Sequence, residues 1–387
     1  MQARSTVPAN SSNLLLWVLA VLGVSLLSLM PLVVLGGGPS PSASSAVIPA
    51  SNPRVAYLEF GRDADTLWLA DAAHPSRREK RLSIAHALEF GIIPSLAPGR
   101  HSFVYTALPA ATRSPTPETP ADLWLASLDR DSKPRLLAQG LDLLVAPVWS
   151  ASGESVVFRR SRAQGETVTT GQRLALLDVM SGQERELVHG NGSSLFPSGF
   201  SSDGRSLFYV RLDATGSDLK TLDLSSGSER SVARLGDGLT RDWRLSPGSD
   251  RLAYLAMSLE AGQVASRAFV LDIASGTITR LGPDADAFNP TWSPTAGLAF
   301  GSLDSTDGGQ AGITLISKDG ESRLTESVQG FDVPLGYDKG GENLVVRNFD
   351  GATTLAPGRE RLEVVTAGGK RTTITTAEVT FLGWIDP

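Results

Sequence analysis

Short apolar segments recur along this chain, and each follows a polar turn. The clearest ones end in an aromatic residue and lie at 55–57, 156–158, 207–209, 252–254 and 298–300. After a polar loop a second apolar segment follows, as at 123–125, 174–178, 219–224 and 268–272. Ser-Gly or Asp-Gly pairs then come before a third segment, and such pairs supply the positive-φ positions of tight hairpins. The pattern predicts an all-β fold built from antiparallel strands.

A short phrase precedes these segments at nearly even spacing. Its better copies are Pro147-Val148-Trp149-Ser150, Phe200-Ser201-Ser202-Asp203-Gly204, Leu245-Ser246-Pro247-Gly248, Pro290-Thr291-Trp292-Ser293-Pro294 and Tyr337-Asp338-Lys339-Gly340-Gly341. Counted from the residue after the aromatic or leucine, copies begin near 51, 97, 150, 201, 246, 293, 338 and 385. Intervals of 45 to 53 residues match one four-stranded propeller blade.

This spacing predicts a seven-bladed β-propeller over residues 51–387, with six or eight blades as alternatives. Six complete intervals are joined by one that the two ends of the chain share. We therefore expect the C-terminal strand at 379–384 to complete the blade begun at 55–60. Trp149, Phe200, Trp292 and Tyr337 occupy one slot in successive copies, which favours a packing role between blades.

The repeat resembles the TolB-type, WD40-like propeller repeat. The phrase P-x-W-S-x-D-G, followed by an apolar strand, D-hydrophobe-x-x-G and R-L-T, is best matched at 200–224 and 290–325. The copies near 97 and 385 lack Asp-Gly, and the copy at 338 reads Asp-Lys-Gly-Gly. The resemblance implies a propeller like that of periplasmic TolB, an envelope interaction protein. It also extends to the propeller halves of dipeptidyl-peptidase-IV-like and tricorn-like proteases.

The N-terminal region predicts attachment to a membrane. Residues 14–35 carry no charge and would form about 33 Å of helix, enough to span a bilayer. Arg4 is the only charged residue among the first 50, so residues 1–13 are expected in the cytoplasm and the propeller outside it. Residues 36–50 are rich in Gly, Pro and Ser and predict a disordered linker. The alternative is a signal peptide cleaved after Ser44-Ser45-Ala46, which would release a secreted protein.

The composition of the chain limits the kinds of partner, anchor and cofactor that are expected. The net charge is −6 and the chain has no cysteine, so neither a nucleic-acid partner nor a lipid anchor on cysteine is expected. The four histidines are scattered without metal-ligand spacing, and no Gly-x-Ser-x-Gly pentapeptide occurs. We predict no catalytic residue, no metal and no cofactor from the sequence, and we expect a monomer.

One recurrent feature predicts a binding surface. The segments that lead into the predicted innermost strands each carry a phenylalanine, two of them with a polar neighbour: Phe90, Phe196, Phe288 with Asn289, and Phe331 with Asp332. In a propeller these segments gather around the central channel, where an apolar ring with polar neighbours could bind a ligand. The alternative is that the phenylalanines pack between blades.

Two classes of function remain open from the sequence. The first is a non-enzymatic, membrane-tethered module on the outer side of the cell envelope, which binds an envelope protein or a small-molecule or glycan ligand. The second is an envelope hydrolase or lyase that acts on a carbohydrate or peptidic substrate at the channel mouth. Propellers can assemble catalytic groups from separate blades without a local motif, so the second class is not excluded.

Overall fold

The structure is a computed structural model that describes residues 52–116, 119–130, 132–160, 171–260, 263–295, 297–303, 311–327, 330–354 and 356–386. The chain divides into two units, Met1–Ser42 and Ala43–Pro387, and every described residue belongs to the second. The predicted tail, membrane helix and linker therefore lie outside the described residues. From residue 52 onward, no described helix is long and apolar enough to cross a membrane.

The described residues form 28 β-strands, numbered here in chain order. The first eleven are β1 (Arg54–Glu59), β2 (Ala64–Asp71), β3 (Arg78–Ala85), β4 (Ile93–Leu96), β5 (Ser102–Ala107), β6 (Ala121–Ser127), β7 (Arg135–Leu141), β8 (Val148–Trp149), β9 (Ser155–Arg160), β10 (Arg173–Asp178) and β11 (Glu184–His189). The next eight are β12 (Ser194–Phe200), β13 (Ser206–Asp213), β14 (Gly216–Asp223), β15 (Glu229–Gly236), β16 (Thr240–Leu245), β17 (Arg251–Glu260), β18 (Gln263–Asp272) and β19 (Ile278–Leu281). The last nine are β20 (Asp286–Ser293), β21 (Gly297–Leu303), β22 (Ala311–Ser317), β23 (Gly320–Ser327), β24 (Phe331–Tyr337), β25 (Asn343–Phe349), β26 (Glu360–Thr366), β27 (Arg371–Thr375) and β28 (Val379–Ile385).

These strands pair in consecutive groups of four. Four sheets contain β12–β15, β16–β19, β20–β23 and β24–β27, each in chain order. An eight-stranded sheet holds β4–β7 and β8–β11, and the two halves are joined by the pair Leu141 and Arg160 of β7 and β9. The remaining sheet has the order β28-β1-β2-β3. All pairs are antiparallel, which confirms the all-β prediction.

The C-terminal strand closes the domain on its beginning. Along β28 and β1, Phe381 lies opposite Tyr57 and Trp384 lies opposite Val55. The sequence-based prediction that 379–384 completes the group begun at 55–60 is therefore confirmed. The first strands of the groups, β28, β4, β8, β12, β16, β20 and β24, contact one another in a closed cycle. They are the innermost strands of the domain, and their starting ends define what we call the proximal face.

The core lies between neighbouring sheets and is built mainly from the second and third strands of each group. The aromatic residues that the sequence placed at the ends of apolar segments are buried at 0 to 1% exposure: Tyr57, Phe158, Tyr209, Tyr254 and Phe300. Full burial of such a side chain contributes about 1.5–3 kcal/mol. Because the apolar clusters combine residues of adjacent sheets, each sheet depends on its neighbours for stability.

The motif aromatics fasten one innermost strand to the preceding one. The indole Nε1 of Trp149 donates to the carbonyl of Ser95 at 2.9 Å. Trp384 repeats this bond to the Gly336 carbonyl at 2.9 Å. The strands approach so closely that a Cβ on Gly383 would lie 2.4 Å from Leu96 Cδ2, which explains a glycine there. The slot therefore has the packing role that its repetition predicted.

Polar side chains at the start of third strands provide a second fastening. Asp65 and Gln172 accept hydrogen bonds from the backbone N–H of Ile92 and Leu195, both at 3.0 Å. Two further bonds of this kind join Ser217 to Thr240 N–H at 3.2 Å and Glu360 to Val379 N–H at 2.8 Å. Each bond satisfies a buried or half-buried donor where an innermost strand begins, and so fixes the segments of the proximal face.

Candidate binding patch

The structure separates the four phenylalanines that the sequence grouped. Phe288 and Phe331 are buried at 4% and 2% exposure, and their ring centroids lie 5.3 Å apart. Phe331 also stacks on Phe349 at 5.0 Å, so these rings pack between the sheets of β20 and β24. Phe90 is 36% exposed in the segment between β3 and β4. Phe196 is half-buried on β12. Only Phe90 and Phe196 therefore present ring surface to solvent.

Asp332 lies in a buried ionic network rather than on the surface. Its carboxylate is 0% exposed and accepts bonds from Arg371 Nη1 at 3.1 Å and Nη2 at 2.5 Å. Asn348 donates to the same carboxylate at 2.9 Å, and Arg371 also pairs with Glu363 at 2.9 Å. Burial lowers the pKa of Arg371, but the bonds to Asp332 and Glu363 outweigh it and leave that pKa raised. This network binds β24 to the outer strands of its sheet.

Asn289 lies on the innermost strand β20 and contacts the innermost strands on either side of it. It adopts a φ of 38°, a left-handed conformation that asparagine tolerates better than most residues. Its side-chain amide donates to the Pro334 carbonyl of the next innermost strand. Its Oδ1 accepts a bond from Arg244 Nη2 at 3.2 Å. Asn289 therefore connects β16, β20 and β24.

Four side chains of three consecutive innermost strands form what we call the inner-strand patch. They are Phe196 of β12, Trp243 and Arg244 of β16, and Asn289 of β20. Phe196 and Trp243 have ring centroids 5.0 Å apart. Phe196, Trp243 and Asn289 are half-buried, and Arg244 is exposed. Phe196 and Trp243 also pack against the apolar cluster shared by the sheets β12–β15 and β16–β19, so only part of each ring is accessible to solvent.

A β-bulge explains why Trp243 reaches this position. The register of β16 against β17 shifts between Arg241 and Arg244, which leaves Asp242 and Trp243 without a partner on β17. Asp242 adopts a φ of 55° there. Bulges of this kind redirect side chains and are frequent beside functional sites. The indole N–H of Trp243 donates to Thr240 Oγ1 at 2.9 Å, so the ring orientation is fixed.

Two arginines lie beside the aromatic pair. The guanidinium of Arg159 lies over the Phe196 ring at 4.8 Å and is held by Asp142 at 2.7 Å. Arg244 has no carboxylate partner among the described residues; its bonds go to Asn289 and to the Trp243 carbonyl at 3.2 Å. Tryptophan and arginine are enriched among the few residues that contribute most binding energy at protein interfaces. The patch can stack an apolar or planar group and pair with a carboxylate or carbonyl oxygen.

A second cluster on the proximal face contains carboxylates of altered acidity. Burial raises the pKa of Glu360, and Arg347 at 3.7 Å opposes that rise. Burial also raises the pKa of Glu378, and the charges of Glu360 and Asp65 add to the rise. His86 is buried, and its Nε2 lies 3.0 Å from Asp65 Oδ1. In the described ranges, no group of three or more His, Asp or Glu side chains could hold a metal ion.

Sequence reasoning identified Phe196 and Asn289 of the inner-strand patch but missed Trp243 and Arg244. In the repeat copy that contains them, the aromatic slot is filled by Leu245, so Trp243 falls two positions out of the pattern. A tryptophan displaced from the slot in one copy was the available signal. The raised pKa values of Glu360 and Glu378 depend on tertiary burial and had no sequence signal.

Comparison with known proteins supports the propeller fold. Neither a scan of family models nor a search of curated proteins found a match. Among solved structures, the chain is similar to the β-propeller domain of the Trilobed protease from Pyrococcus furiosus, at 10% identity and TM-score 0.50, covering 72% of this chain and 81% of that one. It is similar to a prolyl endopeptidase at 13% identity and TM-score 0.58, covering 87% of this chain and 50% of that one.

TolB is also among the structural neighbours. TolB from Acinetobacter baumannii matches at 19% identity and TM-score 0.49, covering 72% of this chain and 64% of that one. The chain thus spans half the length of the prolyl endopeptidase and about two thirds that of this TolB. Together with the sheet topology, the similarity to the Trilobed protease domain shows a β-propeller fold.

Proposed function

We propose that this protein is a seven-bladed propeller that acts as a non-enzymatic binding module, tethered to a membrane on the outer side of a cell envelope. The blade number is supported by the four-strand groups and by the cycle of innermost strands. The TolB-type repeats support an interaction role. The tether and its orientation rest on the uncharged segment at 14–35 and on Arg4.

The inner-strand patch carries the binding proposal. Trp243 is oriented by its bond to Thr240, and Arg244 is exposed beside it without a carboxylate partner in the described residues. Preorganised aromatic and guanidinium groups lose little conformational entropy on binding. The partner is an envelope protein or a small-molecule or glycan ligand that offers a planar or apolar group next to an acceptor oxygen. The protein acts as a monomer.

Binding is tested by affinity capture of the full chain from its own membranes after chemical cross-linking. We expect one partner to be lost when Trp243→Ala and Arg244→Ala are combined. The matched control is Arg205→Ala, which removes an exposed arginine from the turn after β12. Unchanged capture by the double variant would contradict a role for the patch. Loss in both variants would point to non-specific charge effects instead.

Attachment is tested by carbonate extraction together with N-terminal sequencing. We expect the protein to stay with the membrane fraction and to keep its original N terminus. A soluble protein that starts near Val47 would favour the alternative, a secreted propeller released by signal peptidase.

A second candidate function is an envelope hydrolase or lyase, and the raised pKa values of Glu360 and Glu378 favour it. A carboxyl group whose pKa is raised by burial keeps its proton to higher pH than usual and can act as a general acid. Glu378→Gln should then abolish turnover of a glycan or peptide library, whereas Trp243→Ala should affect mainly KM. Absence of turnover by the unmodified protein would remove this candidate.

A further inference from the structure

The turns that follow the innermost strands lie opposite the proximal face, on what we call the distal face. At most boundaries between neighbouring groups of four strands, a turn residue or the motif aromatic beside it bonds directly to the adjacent group. These bonds, of 2.8 to 3.2 Å, join Arg100 to Asp386, Trp149 to Ser95, Ser249 to Phe200, Trp292 to Arg244, Thr295 to Gly340 and Trp384 to Gly336. They hold adjacent groups together at the distal face.

The boundary between β8–β11 and β12–β15 is different. The structure describes both of its turns in full, at 150–154 and 201–205, and no hydrogen bond joins them. The motif aromatic here is Phe200, which has no N–H group to donate to the preceding innermost strand. The second position of these turns carries the small residues Ala151 and Ser202, where three other copies carry a proline: Pro98, Pro247 and Pro294. The two turns are therefore left apart.

A cleft of about 450 Å³ opens between them, and we call it the distal cleft. Its volume lies within the range of about 300–1,000 Å³ that is usual for small-ligand sites. The groups that line it include the hydroxyls of Ser152 and Ser202, the carboxylates of Glu154 and Asp203, and the apolar side chains of Leu176 and Leu224. No basic side chain is among the described residues of this lining. Arg185 of β11 donates to the Leu224 carbonyl at 2.9 Å and so ties the two groups together beside the cleft.

Both carboxylates have oxygens available to a ligand. The Glu154 side chain is exposed and has no hydrogen-bond or ionic partner in the described part of the chain. Asp203 is held by its own turn, because its Oδ1 accepts from the Ser201 hydroxyl at 2.6 Å and from the Arg205 N–H at 3.0 Å. These two bonds lower the pKa of Asp203, so the group is ionised at neutral pH. The cleft therefore favours a ligand that donates hydrogen bonds and disfavours an anion.

We propose that the distal cleft binds one pyranose unit of a glycan. The sugar hydroxyls donate to Glu154 and Asp203 and accept from the serine hydroxyls, while the C–H face of the ring packs on Leu176 and Leu224. A simple cation would use the carboxylates but leave the apolar surface uncovered, whereas a sugar ring satisfies both. The site is separate from the inner-strand patch and does not depend on the proposed function.

Saturation-transfer NMR of the full chain tests this proposal, in a zwitterionic detergent that has no sugar headgroup. The probes are cellobiose, lactose, the disaccharide of N-acetylglucosamine and the disaccharide of glucosamine. We expect saturable binding of at least one of them, with one molecule bound per chain. Preference for the glucosamine disaccharide would identify an amino sugar that pairs with Glu154, and preference for another would identify a neutral sugar. Absence of saturable binding by all four would overturn the proposal.

Substitutions locate the bound sugar. Ser202→Tyr places a ring in the cleft and should abolish binding, and Glu154→Ala should weaken it about tenfold, the loss expected for a hydrogen bond to a charged group. Both positions are exposed, so neither variant should change the melting temperature. The matched controls are Ser322→Tyr and Glu321→Ala at exposed positions of β23, and they should bind as the unmodified protein does. Unchanged binding in both cleft variants, or loss of binding in Trp243→Ala instead, would refute the assignment to this cleft.

Discussion

Removal of the Asp332 carboxylate tests the role of the buried network between β24 and β27. Four donors converge on this group: both terminal nitrogens of Arg371, the amide of Asn348 at 2.9 Å and the hydroxyl of Thr325 at 3.4 Å. Asp332→Asn keeps the shape of the side chain but places an NH₂ group against donors. Among the described residues, Arg371 then keeps Glu363 as its ionic partner.

The expected cost follows from the burial of the pair. Asp332 is 0% exposed and the Arg371 side chain 25% exposed, so solvent compensates little for the lost partner. Breaking a buried ion pair on one side costs about 3–5 kcal/mol. The entropy of unfolding for about 335 residues is roughly 0.7 kcal/mol per degree, so this cost corresponds to a fall of about 4–7 °C in Tm.

Scanning calorimetry of the full chain in a mild detergent measures this change. The matched control is Asp319→Asn, which alters an exposed carboxylate in the turn between β22 and β23 and should shift Tm by less than about 1 °C. A shift below about 2 °C for Asp332→Asn would refute the structural assignment. It would favour the sequence-based prediction that Asp332 binds a ligand.

Three further outcomes follow from the same structure. Trp384→Phe leaves the half-buried Gly336 carbonyl without its indole donor and should cost about 1 kcal/mol in chemical denaturation. Deletion of the last ten residues removes β28 and exposes two strand edges, so we expect cooperative loss of the β-sheet signal in circular dichroism. The raised pKa of His86 stabilises the fold below pH 6.5, and that stability is lost as pH rises through the raised value. The raised pKa values of Glu360 and Glu378 likewise contribute stability that is lost as pH rises from 4.5 upward. Tm should therefore decline above about pH 6.5, and His86→Gln should flatten that decline.

The repeat could be recognised in the sequence because its turns are stabilised by hydrogen bonds between residues close together in the chain. The same turn residues recur in successive groups: the Asp223 carboxylate accepts from Ser226 N–H at 2.8 Å, and Asp272 accepts from Ser275 N–H at 2.8 Å. These bonds lower the pKa of both aspartates, to about 2 for Asp223. A turn that is stabilised by contacts within five residues needs the same residue types in every copy. The spacing of these residues was therefore enough to predict the strands and the closure.

The candidate site was harder to predict from the sequence because its residues contact one another across separate strands. Four side chains at equivalent positions each accept a bond from a backbone N–H group where an innermost strand begins, yet no two are the same residue type: Asp65, Gln172, Ser217 and Glu360. Any acceptor of suitable length satisfies the backbone donor, so no repeated letter marks the position. The phenylalanines that do recur differ in their surroundings, because Phe331 packs against Phe288 and Phe349 whereas Phe90 lies at the surface between β3 and β4.

Site-specific photo-cross-linking at Trp243 tests the central claim that the inner-strand patch is a binding surface. A benzophenone amino acid replaces Trp243 in the full chain, which is irradiated in its own membranes. The control position is Met180, which is 84% exposed in the turn between β10 and β11. The account predicts one discrete adduct from position 243 that is absent from position 180. No adduct at 243, or the same adduct from both positions, would contradict it.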